Sequence, residues 1–202
     1  MIKLYEVQVS PNARKVRLLA AELGIPLERV TLDFKTGENR SNAYLAKNPN
    51  GKVPAIEDDG FVLWESASIL RYLAAKRPER GLVPDDAKQR ALLDQWLFWW
   101  TAHPESALYL LASERLIKPF LGQGGNDPAI IAEASHLISR FLPLLDRQLM
   151  DKDYVLGPLS IADFCAGPWL DAVPRLQVSL DAYPNISRWL AKLGAKPYWK
   201  ST

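Results

Sequence analysis

The stretch Asn48-Pro49-Asn50-Gly51-Lys52-Val53-Pro54-Ala55-Ile56 carries the densest chemical information in this 202-residue chain. A turn rich in Pro, Asn and Gly delivers the chain into a strand that begins at Val53-Pro54. Proline there cannot donate to a ladder, so it belongs at a strand start or an edge. With that peptide bond cis, Val53 would turn its backbone N–H and C=O outward, where a ligand peptide can pair with them. A plain turn-to-strand junction explains the same residues, and local chemistry alone favours it. Glu65-Ser66 opens a helical pattern. Backbone donors and the dipole at a helix amino terminus attract a carboxylate, and Ser66 adds a hydroxyl donor; the plainer alternative is a helix cap. Trp96, Trp99, Trp100 and His103 recur at helical spacing just before Pro104, a period that by default marks a core face. The two His and scattered acids show no metal-ligand spacing, so no metal is expected.

These residues need elements to hold them. Ile2 to Val9 alternates like a strand, and Ser10-Pro11 reads as a Ser cap with Pro at the first helical position. Val16, Leu19, Ala20 and Leu23 continue at helical spacing until Gly24 stops the helix. Leu27 to Phe34 is a second strand and about Ser41 to Lys47 a short helix. Val53 to Glu57 and Phe61 to Trp64 flank Asp58-Asp59-Gly60, a hairpin signal. Ser66 to Ala75 is helical. The order is βαβ, then α, then ββα. Pro78, Gly81 and Pro84 mark a linker over residues 78–85, so residues 1–77 and 86–202 are expected to form two domains. Every later pattern is helical: Asp86 to Phe120 with a kink at Pro104, Pro128 to Leu149, Ser160 to Val173 and Pro184 to Leu193. Ser160 is expected to cap the N3 amide while Asp163 reaches back to the Ser160 N–H, with Leu159 and Phe164 as the hydrophobic staple. Cys165, inside that helix, reads as small apolar packing.

Composition narrows the class. Net charge is +2 from 25 Lys and Arg against 23 Asp and Glu, without the clustered basic excess that nucleic acid demands. Residues 1–77 hold 12 basic against 9 acidic side chains, a modest positive bias that would suit a small anionic ligand but that charge alone assigns more readily to ordinary surface variation. A single cysteine cannot form an internal disulfide, which favours a reducing compartment. No uncharged apolar run approaches the ~20 residues of a membrane span, and MIKLYEVQV lacks a signal-peptide core. A cytoplasmic protein with no nucleic-acid or membrane partner is expected.

Taken together, NPNGKVPAI before the third strand and Glu65-Ser66 after the fourth resemble the cytosolic glutathione transferases. Gly157 to Asp163 is similar to that family's capping-box motif, and Tyr183-Pro184-Asn185-Ile186 with Trp189 to the start of its late helix, so the resemblance covers nearly the whole chain. It implies an α/β plus all-α fold, an N-terminal thioredoxin-like domain (βαβ-α-ββα) with a C-terminal all-helical domain. It implies that Val53, after a cis Pro54, pairs backbone-to-backbone with the cysteinyl residue of glutathione. Glu65 meets the γ-glutamyl ammonium, Ser66 its carboxylate, and Lys52 with Asn39 the glycyl end. The sulfur lies beside Ser10 and Asn12. The resemblance also implies a second, electrophilic substrate over the helical domain, in a pocket expected to be lined by Trp100, His103 or Tyr109.

Ser10 to Val16, Gly37-Glu38-Asn39 and Leu92 to Trp100 resemble a bacterial branch handling organic peroxides and small disulfides. No tyrosine stands at the position near Glu6 where tyrosine-type transferases keep their thiol activator. No cysteine lies near residues 10–12, which speaks against a mixed disulfide on the enzyme. The implied function is a homodimeric detoxification transferase that uses glutathione as co-substrate and needs no cofactor. The alternatives are a glutathione-dependent disulfide reductase or peroxidase, and a catalytically silent binding protein of the same fold.

Overall fold

The computed structural model describes all 202 residues. Alternation along β1 (Ile2–Glu6) buries Ile2, Leu4 and Glu6. The chain then turns into α1 (Pro11–Leu23), capped by the Ser10 hydroxyl and ended by Gly24 at φ 65°. β2 (Leu27–Thr31) returns parallel to β1, and a short α2 (Asn42–Leu45) follows. β3 (Ala55–Asp58) and β4 (Phe61–Trp64) form the expected hairpin. Asp59 and Gly60 both take positive φ (48° and 87°), which is what a two-residue turn matched to strand twist requires. Sheet order is β2-β1-β3-β4, with β3 antiparallel to β1. α3 (Ser66–Ala75) completes this half.

The second half is all helix. Pro104 divides the long pattern into α4 (Ala87–Ala102) and α5 (Pro104–Ala112), with the break at His103. A π-helical turn over Ser113–Ile117, which periodicity does not foresee, leads into the short α6 (Lys118–Phe120). α7 (Pro128–Gln148), α8 (Ile161–Ala172) and α9 (Pro184–Gly194) agree with the sequence patterns. A last turn, α10 (Pro197–Ser201), for which the sequence patterns give no signal, buries Trp199. One continuous apolar core runs from Leu4 and Leu19 through Ile69 and Leu108 to Phe164 and Trp189. No helix is long and apolar enough to cross a membrane.

Ser160 and Asp163 form the capping box of α8. The Asp163 carboxylate is fully buried and accepts from the Ser160 N–H (2.9 Å), the Ser160 hydroxyl (3.1 Å), the Val155 N–H (2.9 Å) and the Trp189 indole (2.9 Å). It therefore ties α8 to α9 and to the loop before α8. Ser160→Ala is expected to lower stability by about 0.5–2 kcal/mol, read as a lower denaturant midpoint, with turnover per folded molecule unchanged. Burial pushes the Asp163 carboxyl up to about 6 against the pull of its four donors. The folded state thus holds this proton more tightly than the unfolded chain. Its contribution to stability is complete below about pH 4 and is lost as pH rises through about 6. Asp163→Asn should flatten that slope; an unchanged slope would refute the assignment.

Candidate functional site

Strand register gathers the site. Tyr5 pairs with Ala55 and Ala55 with Trp64. Beyond this row each chain segment leaves the sheet at the same end: β1 after Glu6 toward Ser10, Pro54 back toward Lys52, and Glu65 into α3. Ser10, Val53, Pro54, Glu65 and Ser66 are therefore neighbours, as the sequence patterns require. The Val53–Pro54 peptide bond is cis. Neither the N–H nor the C=O of Val53 has a partner within the chain. The carbonyls just before it are held instead: Lys52 C=O accepts from the Tyr44 hydroxyl (2.6 Å) and the Asn48 amide (2.7 Å), and Gly51 C=O from the Asn39 amide (2.8 Å). Burial pushes the Tyr44 hydroxyl up to about 12, so it remains a donor. Gly51 must be glycine, because at φ 61° a Cβ would lie 2.9 Å from the Asn39 carbonyl oxygen. Asn39 thus faces inward and fastens this loop.

Glu65 precedes α3 at φ 73° and ψ 111°, a conformation that costs a non-glycine residue about 1–3 kcal/mol and collects at ligand clamps. It leaves the Glu65 side chain exposed and Ser66 buried at the first turn. Ser10 accepts from the Ala13 N–H (3.3 Å). Its lone pair caps the helix while its own proton stays free, so cap and donor coexist. The Asn12 carbonyl accepts from the Trp169 indole of α8 (2.8 Å). An indole N–H only donates, so the amide end of Asn12 is the end left for a ligand.

The helical half arranges Trp100, His103 and Tyr109 differently from expectation. Trp100 is only 2% exposed, packed with Trp96, Trp99 and Leu145, and cannot line an open pocket. His103 lies exposed at the α4–α5 break but stacks on Phe141 of α7 (5.4 Å), with Trp99 beside it. Helical spacing identifies a stripe without saying which neighbours it meets: Trp100 turns into the core beside Ala162 and Ala166 of α8, while Trp99 and His103 meet Phe141 of α7. Tyr109 turns toward the sheet half instead: it is exposed, and the Lys52 ammonium sits over its ring (5.1 Å). Lys35, in the loop after β2, covers Phe120 in the same way (4.4 Å). Tyr109, Leu116 and Phe120 are exposed apolar side chains on α5, the π turn and α6, a stretch that the sequence patterns assign to an ordinary helix. Lys15, missed because a lysine on a helix reads as surface, is fully buried and touches Ser66. Cys165 is buried, its thiol pushed up to about 11 by burial, as packing residues are.

Comparison with known proteins agrees in both halves. The glutathione S-transferase N-terminal domain profile matches residues 4–81 and the C-terminal domain profile residues 107–197. A probable glutathione S-transferase of rice (Oryza sativa subsp. japonica) is 33% identical over 97% of this chain and 93% of its own length. Mouse glutathione S-transferase theta-1 is 34% identical over 96% and 83%. Among solved structures, glutathione S-transferase-I bound with lactoylglutathione superposes with a TM-score of 0.85 at 30% identity, covering 99% of this chain and 97% of that one. A Pseudomonas fluorescens family member with two glutathione molecules bound gives 0.85 at 28%, covering 99% and 91%. A cis-proline loop beside two helix starts, matched along nearly the whole chain by relatives of one kind, places this protein in the glutathione S-transferase family.

Proposed function

We propose that the protein is a glutathione transferase that stabilises the glutathione thiolate and delivers it to a small hydrophobic electrophile. The observation that carries this reading is the unpaired backbone of Val53 at the same sheet end as the starts of α1 and α3. Glutathione lies extended, its cysteinyl N–H and C=O paired with Val53. Ser66 donates to the γ-glutamyl carboxylate at the α3 amino terminus, and Glu65 receives the ammonium. Lys52 attracts the glycyl carboxylate, while Asn39 acts through the loop it fastens. Residues 1–77 form this glutathione domain and 86–202 supply the acceptor wall of Tyr109, Leu116 and Phe120. The lone cysteine supports a cytoplasmic setting, and exposed Phe61, Leu92 and Phe98 support a homodimer.

At the sulfur, Ser10 O–H and the Asn12 amide both donate. A free thiol near pKa ~8.5 is only a few per cent ionised at neutral pH. Lowering it by about two units raises the thiolate fraction roughly 25-fold, yet weakens intrinsic nucleophilicity about ten-fold at a Brønsted slope near ~0.5. Positioning against the electrophile therefore supplies most of the rate. Ser10→Ala is expected to lower kcat for chlorodinitrobenzene about ten-fold or more and Asn12→Ala less, with the bound thiol titrating higher by thiolate absorbance in both. If neither variant moves the titration or the rate, the thiol site is elsewhere. Retention on immobilised glutathione without turnover, on either this electrophile or hydroxyethyl disulfide, would instead identify a binding protein.

Ser66→Ala removes a charge-assisted hydrogen bond of roughly 1.5–3 kcal/mol. Glutathione affinity by titration calorimetry should fall about ten-fold or more.

A further inference from the structure

Lys15 has no part in the reading above, and its surroundings are unusual. Its side chain is completely buried on α1. The ammonium donates to the Glu105 carboxylate at the start of α5 (2.6 Å) and to the Ser66 hydroxyl oxygen (3.3 Å). An isolated buried charge is costly and persists when paired and hydrogen-bonded, so this cation is held by one group from each half of the molecule. Cys165, with its raised thiol, stays neutral beside it and brings no competing charge.

The hydrogen-bond inventory then dictates a direction. An ammonium has three donors and no acceptor, so Ser66 can only accept from Lys15. The single proton of Ser66 is turned away from Lys15 and remains available at the α3 amino terminus. Ser66 also touches the positive member of the Lys15–Glu105 pair, which favours an anion on its far side.

We infer that Lys15, paired with Glu105, is a positioning residue for ligand recognition: it orients the Ser66 hydroxyl as a donor and stands as a buried positive charge behind the carboxylate that Ser66 binds. This rests on the assignment of Ser66 to the γ-glutamyl carboxylate. The helical half thereby takes part in glutathione binding, through Glu105, without touching glutathione.

The test uses two ligands: S-methylglutathione, and the same molecule with its γ-glutamyl α-carboxylate converted to an amide. Titration calorimetry on wild type is expected to give a preference of about ten-fold or more for the carboxylate. Lys15→Met combined with Glu105→Gln removes both charges, so no buried charge is orphaned. This variant should bind the amide ligand within about two-fold of wild type while its carboxylate preference falls to about three-fold or less. A purely structural role would weaken both ligands equally and leave the ratio intact, and that result overturns the inference. Ser66→Ala separates the two levels. If it keeps the full preference, the assignment of Ser66 itself is wrong; if it loses the preference while the double variant keeps it, only the role of Lys15 falls. Should the double variant not fold, Lys15→Gln combined with Glu105→Gln serves, because it also removes both charges while leaving amides that can hydrogen-bond to each other and to Ser66. An unchanged ratio there also refutes the proposal.

Discussion

A buried ammonium admits few arrangements of its neighbours, and Lys15 sets this constraint at the centre of the molecule. To remain charged without water it needs a carboxylate and further acceptors in place. That requirement fixes the start of α5 against α1 and the start of α3 against both. Other polar contacts cross the same boundary from the same helices. Arg14 of α1 reaches Asp171 and the Trp199 carbonyl, and Arg71 of α3 pairs with Asp94 of α4. The apolar core is likewise continuous across it. Sheet half and helical half are thus joined through α1 and α3, the two helices whose starts form the site.

The site itself is organised by satisfying some backbone and side-chain groups and leaving others open. The loop before Val53 has its carbonyls bound by Tyr44, Asn48 and Asn39, so Val53 alone offers an unpaired N–H and C=O. Ser10 and Asn12 follow the same scheme, each with its acceptor engaged and a donor left over. Glu65 adds conformational strain at the point where two strands and a helix meet. Such a conformation persists when the surroundings over-determine it, and here β4 and α3 do so from either side.

Much of this was legible from residue types because the signals were local. Asp59-Gly60, Ser10-Pro11 and Ser160 with Asp163 each specify a turn or cap by short-range chemistry, and the hairpin then brings Pro54 opposite Glu65. What stayed hidden depends on long-range packing. Trp100 and His103 share a helical stripe, but only tertiary contacts reveal that one enters the core and the other meets α7. The π turn at Ser113–Ile117 carries no local signature, because residue periodicity does not distinguish an i+5 ladder from an ordinary one, so the stretch through Leu116 and Phe120 reads as plain helix. Lys15 and Trp169 were invisible for the same reason, since the partners that give them meaning lie 90 and 157 residues away.

The Trp169–Asn12 hydrogen bond has an implication for how proteins of this architecture diversify. Under the proposed function, the electrophile would meet the helical half and the sulfur the donors of the other half. Two such halves invite exchange, as interchangeable parts, whenever a new acceptor specificity is selected. Here a helical half brought in from a relative would have to carry an indole at the same place, or Asn12 would be free to turn its carbonyl toward a developing thiolate. On that reading, change in the acceptor wall would fall to the exposed face of α5 and the π turn, while Trp169 on α8 stays tethered to Asn12 of α1.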